Sequence, residues 1–90
     1  MARPTYNKVY RWIQDYGKGG VEDSRSVRDY MEVESRETVS GLRAELVGMS
    51  QGNYDDAKLD QLIGAGRKMK HGSYSNWAKM MLLWMASYKG

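Results

Sequence analysis

The sequence of 90 residues contains no cysteine, no phenylalanine and a single proline. Without cysteine the chain can form neither disulfide bonds nor thiolate metal sites, and nothing in it implies an oxidising compartment. A chain of this length buries a small core, which cannot be reinforced in either of those ways. We therefore expect residues 1–90 to fold as one domain around that core.

Long hydrophobic runs are also missing. The longest apolar run covers residues 80–86, far short of the roughly twenty residues that a membrane span needs. No N-terminal apolar stretch resembles a signal peptide, and no segment alternates with period two for long enough to form a strand. We therefore expect an all-α, soluble and cytoplasmic protein with no membrane contact.

The aromatic residues are seven tyrosines and three tryptophans, and seven methionines accompany them. Tyrosine and tryptophan combine an apolar ring with a polar tip, so they suit half-buried positions and interfaces, and methionine adapts its shape to irregular contacts. This composition is typical of a chain that buries part of its surface against a partner or a second copy.

The positive charge is concentrated at one end of the chain. The net charge is +3, and no acidic residue follows Asp60, whereas five basic residues do. Such a basic field favours a polyanion or an acidic protein as partner. The alternative is that these are solvated residues that complement the carbonyl end of a helix.

Apolar residues recur at helical spacing in five segments, so the sequence predicts a compact bundle of about five short helices. The predicted helices cover Thr5–Tyr16, Ser24–Glu32, Ser35–Met49, Tyr54–Met69 and residues 73–88. The expected N-caps are Asp23 or Ser24, Ser35, Asn53, and Ser73 or Ser75. In the first helix Tyr10 belongs to the apolar stripe, whereas Trp12 lies off it and either widens the buried face or is partly exposed. The last helix is apolar almost all round, so it forms either the spine of the bundle or one face of a homodimer.

The segment from Val27 to Leu46 indicates a short helix, a connection of about three residues and a second helix that begins at Ser35. Residues 35–40, Ser-Arg-Glu-Thr-Val-Ser, resemble the start of the recognition helix in helix-turn-helix DNA-binding proteins of bacteria and phages. The resemblance covers residues 27–46 alone. It departs from the pattern at Gly41, because a glycine inside a helix costs about 1 kcal/mol relative to alanine.

This resemblance implies a helix-turn-helix-like centre whose second helix, residues 35–49, enters the major groove of duplex DNA. The side chains that it would place near base edges are Arg36, Thr38, Ser40 and Arg43. The DNA backbone would be contacted by Arg25 and by a basic cluster of Arg67, Lys68 and Lys70. Residues 24–46 carry a net charge of −1, so this function, as a small regulator or accessory factor, requires a dimer.

The competing interpretation is a small helical adaptor module that binds proteins and has no nucleic-acid activity. Aromatic residues, methionine and arginine are enriched at the centres of protein interfaces. An acidic protein would then be the partner of the basic cluster. A loss of DNA affinity on substituting Arg36 distinguishes the two interpretations.

Enzyme chemistry finds little support in the sequence. The only histidine, His71, has no cysteine or carboxylate near it in the chain. Residues 17–20 contain Gly and Lys but lack the rest of a phosphate-binding loop. The acidic residues Asp55, Asp56 and Asp60 are explained by capping of a helix and lack the pattern of a calcium loop. We therefore expect no catalytic site, no cofactor and no metal.

Overall fold

The computed structural model describes residues 6–17 and 22–88, and within these ranges it contains helices, turns and no strand. The helices are α1 (Asn7–Asp15), α2 (Asp23–Val33), α3 (Arg36–Ser50), α4 (Asp56–Leu62), α5 (Ala65–His71) and α6 (Tyr74–Ser87). The prediction of an all-α fold is confirmed. The predicted start of the first helix at Thr5 lies outside the described residues.

The predicted single helix Tyr54–Met69 is wrong, because it is divided into α4 and α5 at Gly64. The amides of Ile63 and Gly64 both donate to the carbonyl of Leu59, which closes the last turn of α4. Gly64 then has a φ of +97°, a conformation that side chains with a Cβ disfavour. The apolar stripe continues across this break, so periodicity alone predicted one helix where two are present.

α6 lies at the centre of the fold. The most extensive helix pairings are α3 with α6, α2 with α6, α1 with α3, and α5 with α6. The side chains of α6 that these neighbours bury are Tyr74, Trp77, Ala78, Met81 and Met85. The outward face of α6 includes Leu83, which is 56% exposed. α6 therefore serves as the spine of the bundle.

The buried face of α1 differs from the predicted stripe at Tyr10 and is widened by Trp12. Trp12 is fully buried, whereas Tyr10 is 45% exposed. The Trp12 ring packs against Trp77 of α6 at a centroid distance of 6.0 Å. α1 therefore turns its tryptophan inward, because this larger apolar ring meets the central helix.

Two of the four expected N-caps, Ser35 and Ser73, are confirmed. The side chains of Ser35 and Ser73 accept hydrogen bonds from the amide three residues further on, at 3.3 and 3.1 Å. At α4 the cap is Asp55, which accepts from an amide at 3.2 Å, and the expected cap Asn53 lies two residues earlier. α4 thus begins two residues later than the sequence indicated.

The first turn of α1 is capped from a distant part of the chain. Tyr6, which precedes α1, provides no side-chain cap. Instead the carboxylate of Glu45 on α3 accepts hydrogen bonds from the amides of Lys8 and Val9 at 3.0 Å. Burial raises the pKa of Glu45 above its ordinary value, while these amide hydrogen bonds act in the opposite direction. Glu45 therefore joins α1 to α3.

Replacing Glu45 with alanine is expected to lower the free energy of unfolding by about 1–2 kcal/mol, because two amides of α1 lose their acceptor. Glu32→Ala is the matched control, since Glu32 is exposed on α2. It should change the free energy by less than about 0.5 kcal/mol. Urea unfolding measures both variants, and equal losses would show that the Glu45 contacts contribute nothing specific.

Candidate nucleic-acid interface

Three of the predicted base-contacting residues lie together on one side of α3. Arg36, Ser40 and Arg43 are exposed, and their i, i+4, i+7 spacing places them along a single face. They border an open groove of about 560 Å³, whose remaining lining residues are Met31, Glu34 and Val39. The two guanidinium groups form no ion pair with any residue that the structure describes.

Thr38 lies on the opposite side of α3 from this groove. Its hydroxyl accepts a hydrogen bond from the Ser35 hydroxyl at 3.0 Å, and its carbonyl accepts one from the Tyr30 hydroxyl at 3.2 Å. The structure therefore separates Thr38 from Arg36, Ser40 and Arg43, although all four are near the start of the same helix.

A small polar pocket lies beside Thr38. It has a volume of about 280 Å³, and its lining residues are Lys8, Arg11, Asp15, Tyr16, Tyr30, Glu34 and Thr38. The Tyr16 hydroxyl donates to the carboxylate of Glu34 at 2.6 Å. This hydrogen bond, with burial, raises the pKa of Tyr16 to about 12. Burial is the main cause that raises the pKa of Tyr30, also to about 12.

The predicted basic cluster on α5 is largely neutralised within the fold. The Arg67 guanidinium contacts both carboxylate oxygens of Asp23 at 2.8 and 2.9 Å, and it donates to the carbonyl of Gly17 at 2.9 Å. The Lys68 ammonium lies 3.3 Å from Asp60. Lys70 is exposed. The cluster therefore offers a DNA backbone much less free charge than the sequence suggested.

Asp23 joins three helices and does not cap its own. The residue that precedes α2 is Glu22, and it makes no side-chain cap. The Asp23 carboxylate accepts from Arg67 of α5 and from the Trp77 indole of α6, the latter at 3.0 Å. Burial alone would raise the pKa of Asp23, but the hydrogen bonds from Arg67 and Trp77 hold it below its ordinary value. The predicted cap at Asp23 or Ser24 is wrong, because the Asp23 side chain is engaged by these donors.

The remaining predicted phosphate contact, Arg25, is exposed on α2. Arg28 is also exposed, one turn further along the same helix. Among the acidic residues near α3, Glu45 points to α1, while Glu37 stays exposed. The outward surface near the start of α3 therefore carries fewer carboxylates than the sequence count suggests.

Sequence patterns gave no role to Lys8 or Arg11, which the fold brings next to α3. A Cβ atom at Gly41 would lie 2.9 Å from Cε of Lys8, so the lysine stem crosses α3 where that helix has no side chain. An isolated glycine inside a helix is a known signal of such a close approach. The signal does not identify which residue approaches.

Other kinds of site find no support in the part of the chain that the structure describes. Its histidine and acidic side chains form no group of three or more that could hold a metal ion. His71 packs edge-on against the Trp84 ring at a centroid distance of 6.4 Å. Within the same residues, no helix has the length and apolar character to cross a membrane.

No protein-family model, no curated protein and no solved structure gives a significant match to this chain. Function therefore has to be inferred from the side chains themselves.

The Asp23 contacts generate a pH dependence of stability. The folded pKa of Asp23 lies below its ordinary value of 3.8, so the folded protein binds fewer protons than the unfolded chain near that pH. The stabilisation is complete above about pH 4 and is lost as pH falls through the folded pKa. Asp23→Asn should lack this loss and should be less stable by about 2 kcal/mol at neutral pH.

Urea unfolding of both proteins at neutral and at acid pH measures this difference. Asp29→Asn is the control, because Asp29 is exposed on the same helix. If the stability of Asp23→Asn falls with pH as steeply as that of the wild type, Asp23 is not the group responsible.

Proposed function

We propose that this protein binds duplex DNA through the exposed side of α3, as a small regulator or accessory factor. The observation that carries the proposal is the grouping of Arg36, Ser40 and Arg43 on one exposed face of the helix that follows the short Glu34–Ser35 connection. An arginine can pair bidentately with guanine, and serine can bond to several bases. The apolar side of α3 is meanwhile buried against α6 and α1.

The side chains have separate roles in this proposal. Arg36, Ser40 and Arg43 meet base edges, while Arg25 and the exposed Lys70 contact phosphates. Thr38 stays at the rim of the interface, since its hydroxyl and carbonyl already have partners. Arg67 and Lys68 contribute little affinity, because their charges are offset by Asp23 and Asp60.

Arg36→Ala is expected to weaken binding to a duplex that contains the preferred site by about 5- to 150-fold, the value of one bidentate contact to guanine. Lys58→Ala is the control, because Lys58 is exposed on α4, where neither a DNA contact nor a dimer contact is proposed. Its effect should be less than about twofold, since it lies away from the proposed contacts. Fluorescence anisotropy of a labelled duplex, selected from a random pool, measures both. Equal affinity of the wild type and Arg36→Ala would exclude α3 as the reading helix.

The DNA-binding form is proposed to be a homodimer, with α6 (predicted as residues 73–88) as the interface. Two observations support this arrangement. Leu83 is 56% exposed on the outward face of α6, and a single copy presents few unpaired cations. Two copies related by a two-fold axis would present two α3 helices to successive half-sites.

Leu83→Asp is expected to convert a dimer into a monomer, because a charge on the apolar face would have to be buried. Arg36→Ala should leave the dimer unchanged. Sedimentation equilibrium of the three proteins measures the masses directly. A wild-type protein that is monomeric at every accessible concentration would exclude this interface.

The second candidate function is a helical adaptor for an acidic protein. It is favoured by two exposed apolar side chains, Leu83 on α6 and Met69 on α5, the latter 81% exposed. A folded wild-type protein that binds no duplex at low salt would favour this function over DNA binding.

A further inference from the structure

Lys8 is held firmly against α3. Its amide donates to both carboxylate oxygens of Glu45 at 3.0 and 3.1 Å. Its aliphatic stem crosses α3 at Gly41, where an added Cβ would lie 3.2 Å from Cγ and 2.9 Å from Cε. Lys8 also lines the polar pocket beside Thr38. The position of this charge is therefore set by α3 as much as by α1.

Arg11 lies beside Lys8 on α1 and lines the same polar pocket. It lies three residues after Lys8, so the two side chains are neighbours on α1. Arg11 is exposed, and neither cation forms an ion pair with a residue in the described ranges. Asp15 and Glu34 also line the pocket, so its charged lining residues sum to zero and the pocket itself does not favour an anion. An anion would bind on the solvent side of these cations, where Arg11 is exposed.

The two groups of cations lie on opposite sides of α3. The polar pocket is lined by Thr38 and the open groove by Arg36, Ser40 and Arg43, and at 3.6 residues per turn these positions lie on opposite sides of α3. The groove carries Arg36 and Arg43, and the pocket carries Lys8 and Arg11. Between the two groups, the outward surface of α3 carries Glu37 and Ala44, both exposed.

A helix in the major groove has a phosphate backbone on each side, because that groove is about 12 Å wide. We propose that Lys8 and Arg11 bind the phosphates of one strand, while Arg36 and Arg43 reach the base edges from the other side of α3. This inference rests on the proposed function and adds Lys8 and Arg11 to the phosphate contacts of Arg25 and Lys70. It also explains the glycine at position 41, since a side chain there would displace the aliphatic stem of Lys8.

The test is the salt dependence of duplex binding by Lys8→Gln, Arg11→Gln and the double variant. Each phosphate contact contributes about 0.9 to the slope of log K against log salt concentration. We expect the slope to become shallower by about 1 for each single variant and about 2 for the double variant. The loss of affinity should be similar on every duplex sequence, because phosphates carry no sequence information.

Two controls accompany these variants. Lys58→Gln removes an exposed charge on α4, away from the proposed DNA and dimer contacts, and should leave the slope unchanged. Lys8→Arg keeps the charge and should retain the wild-type slope, which separates loss of charge from loss of packing on α3. Circular dichroism establishes that each variant is folded before the titration.

The outcomes separate this inference from the proposed function. If Arg36→Ala weakens binding while Lys8→Gln and Arg11→Gln keep the wild-type slope, DNA binding stands and the Lys8–Arg11 contacts are excluded. If the wild-type protein binds no duplex at low salt, both are excluded. A slope that falls with each substitution supports both.

Discussion

The burial of α6 is the constraint on which the rest of the fold depends. This helix is apolar almost all round, and a chain of 90 residues has few elements to cover it. α2, α3 and α5 each pack against it, and α1 reaches it through the Trp12 ring. At about 25 cal/mol per Å² of apolar surface buried, this covering is the main driving force, and the polar contacts between helices fix their relative positions.

Two partly buried carboxylates fix those positions, and in doing so they decide which charges remain on the surface. Asp23 holds Arg67 and the Trp77 indole, so it connects α2 with α5 and α6. Glu45 holds the first turn of α1 against α3. A carboxylate buried in this way needs donors, because its desolvation is costly. The Arg67 guanidinium of α5 pairs with Asp23, whereas the cations that flank α3 form no ion pair with a described residue.

The sequence was sufficient to predict what depends on local spacing. Helical periodicity predicted the all-α fold, and short-range chemistry predicted the caps at Ser35 and Ser73. The break at Gly64 was not predicted, because the apolar stripe continues through it and a glycine alone does not specify a positive φ. The contacts of Asp23 with Arg67 and of Lys8 with Gly41 join residues far apart in the chain. No local sequence pattern contains these contacts. The basic cluster on α5 was therefore predicted to be free for DNA, and the cations Lys8 and Arg11 on α1 were given no role.

The number of free cations around α3 limits how this fold can bind DNA. Lys8, Arg11, Arg25 and Lys70 would give a salt slope of about −4 if each met one phosphate. This is a small number of phosphate contacts, and Glu37 on the exposed face of α3 opposes the field of the cations around that helix. A monomer would thus bind weakly and without much selectivity. Two copies would double the phosphate contacts and make the second contact intramolecular, which raises the apparent affinity with no new chemistry. Duplex binding by this chain and its self-association are therefore thermodynamically linked.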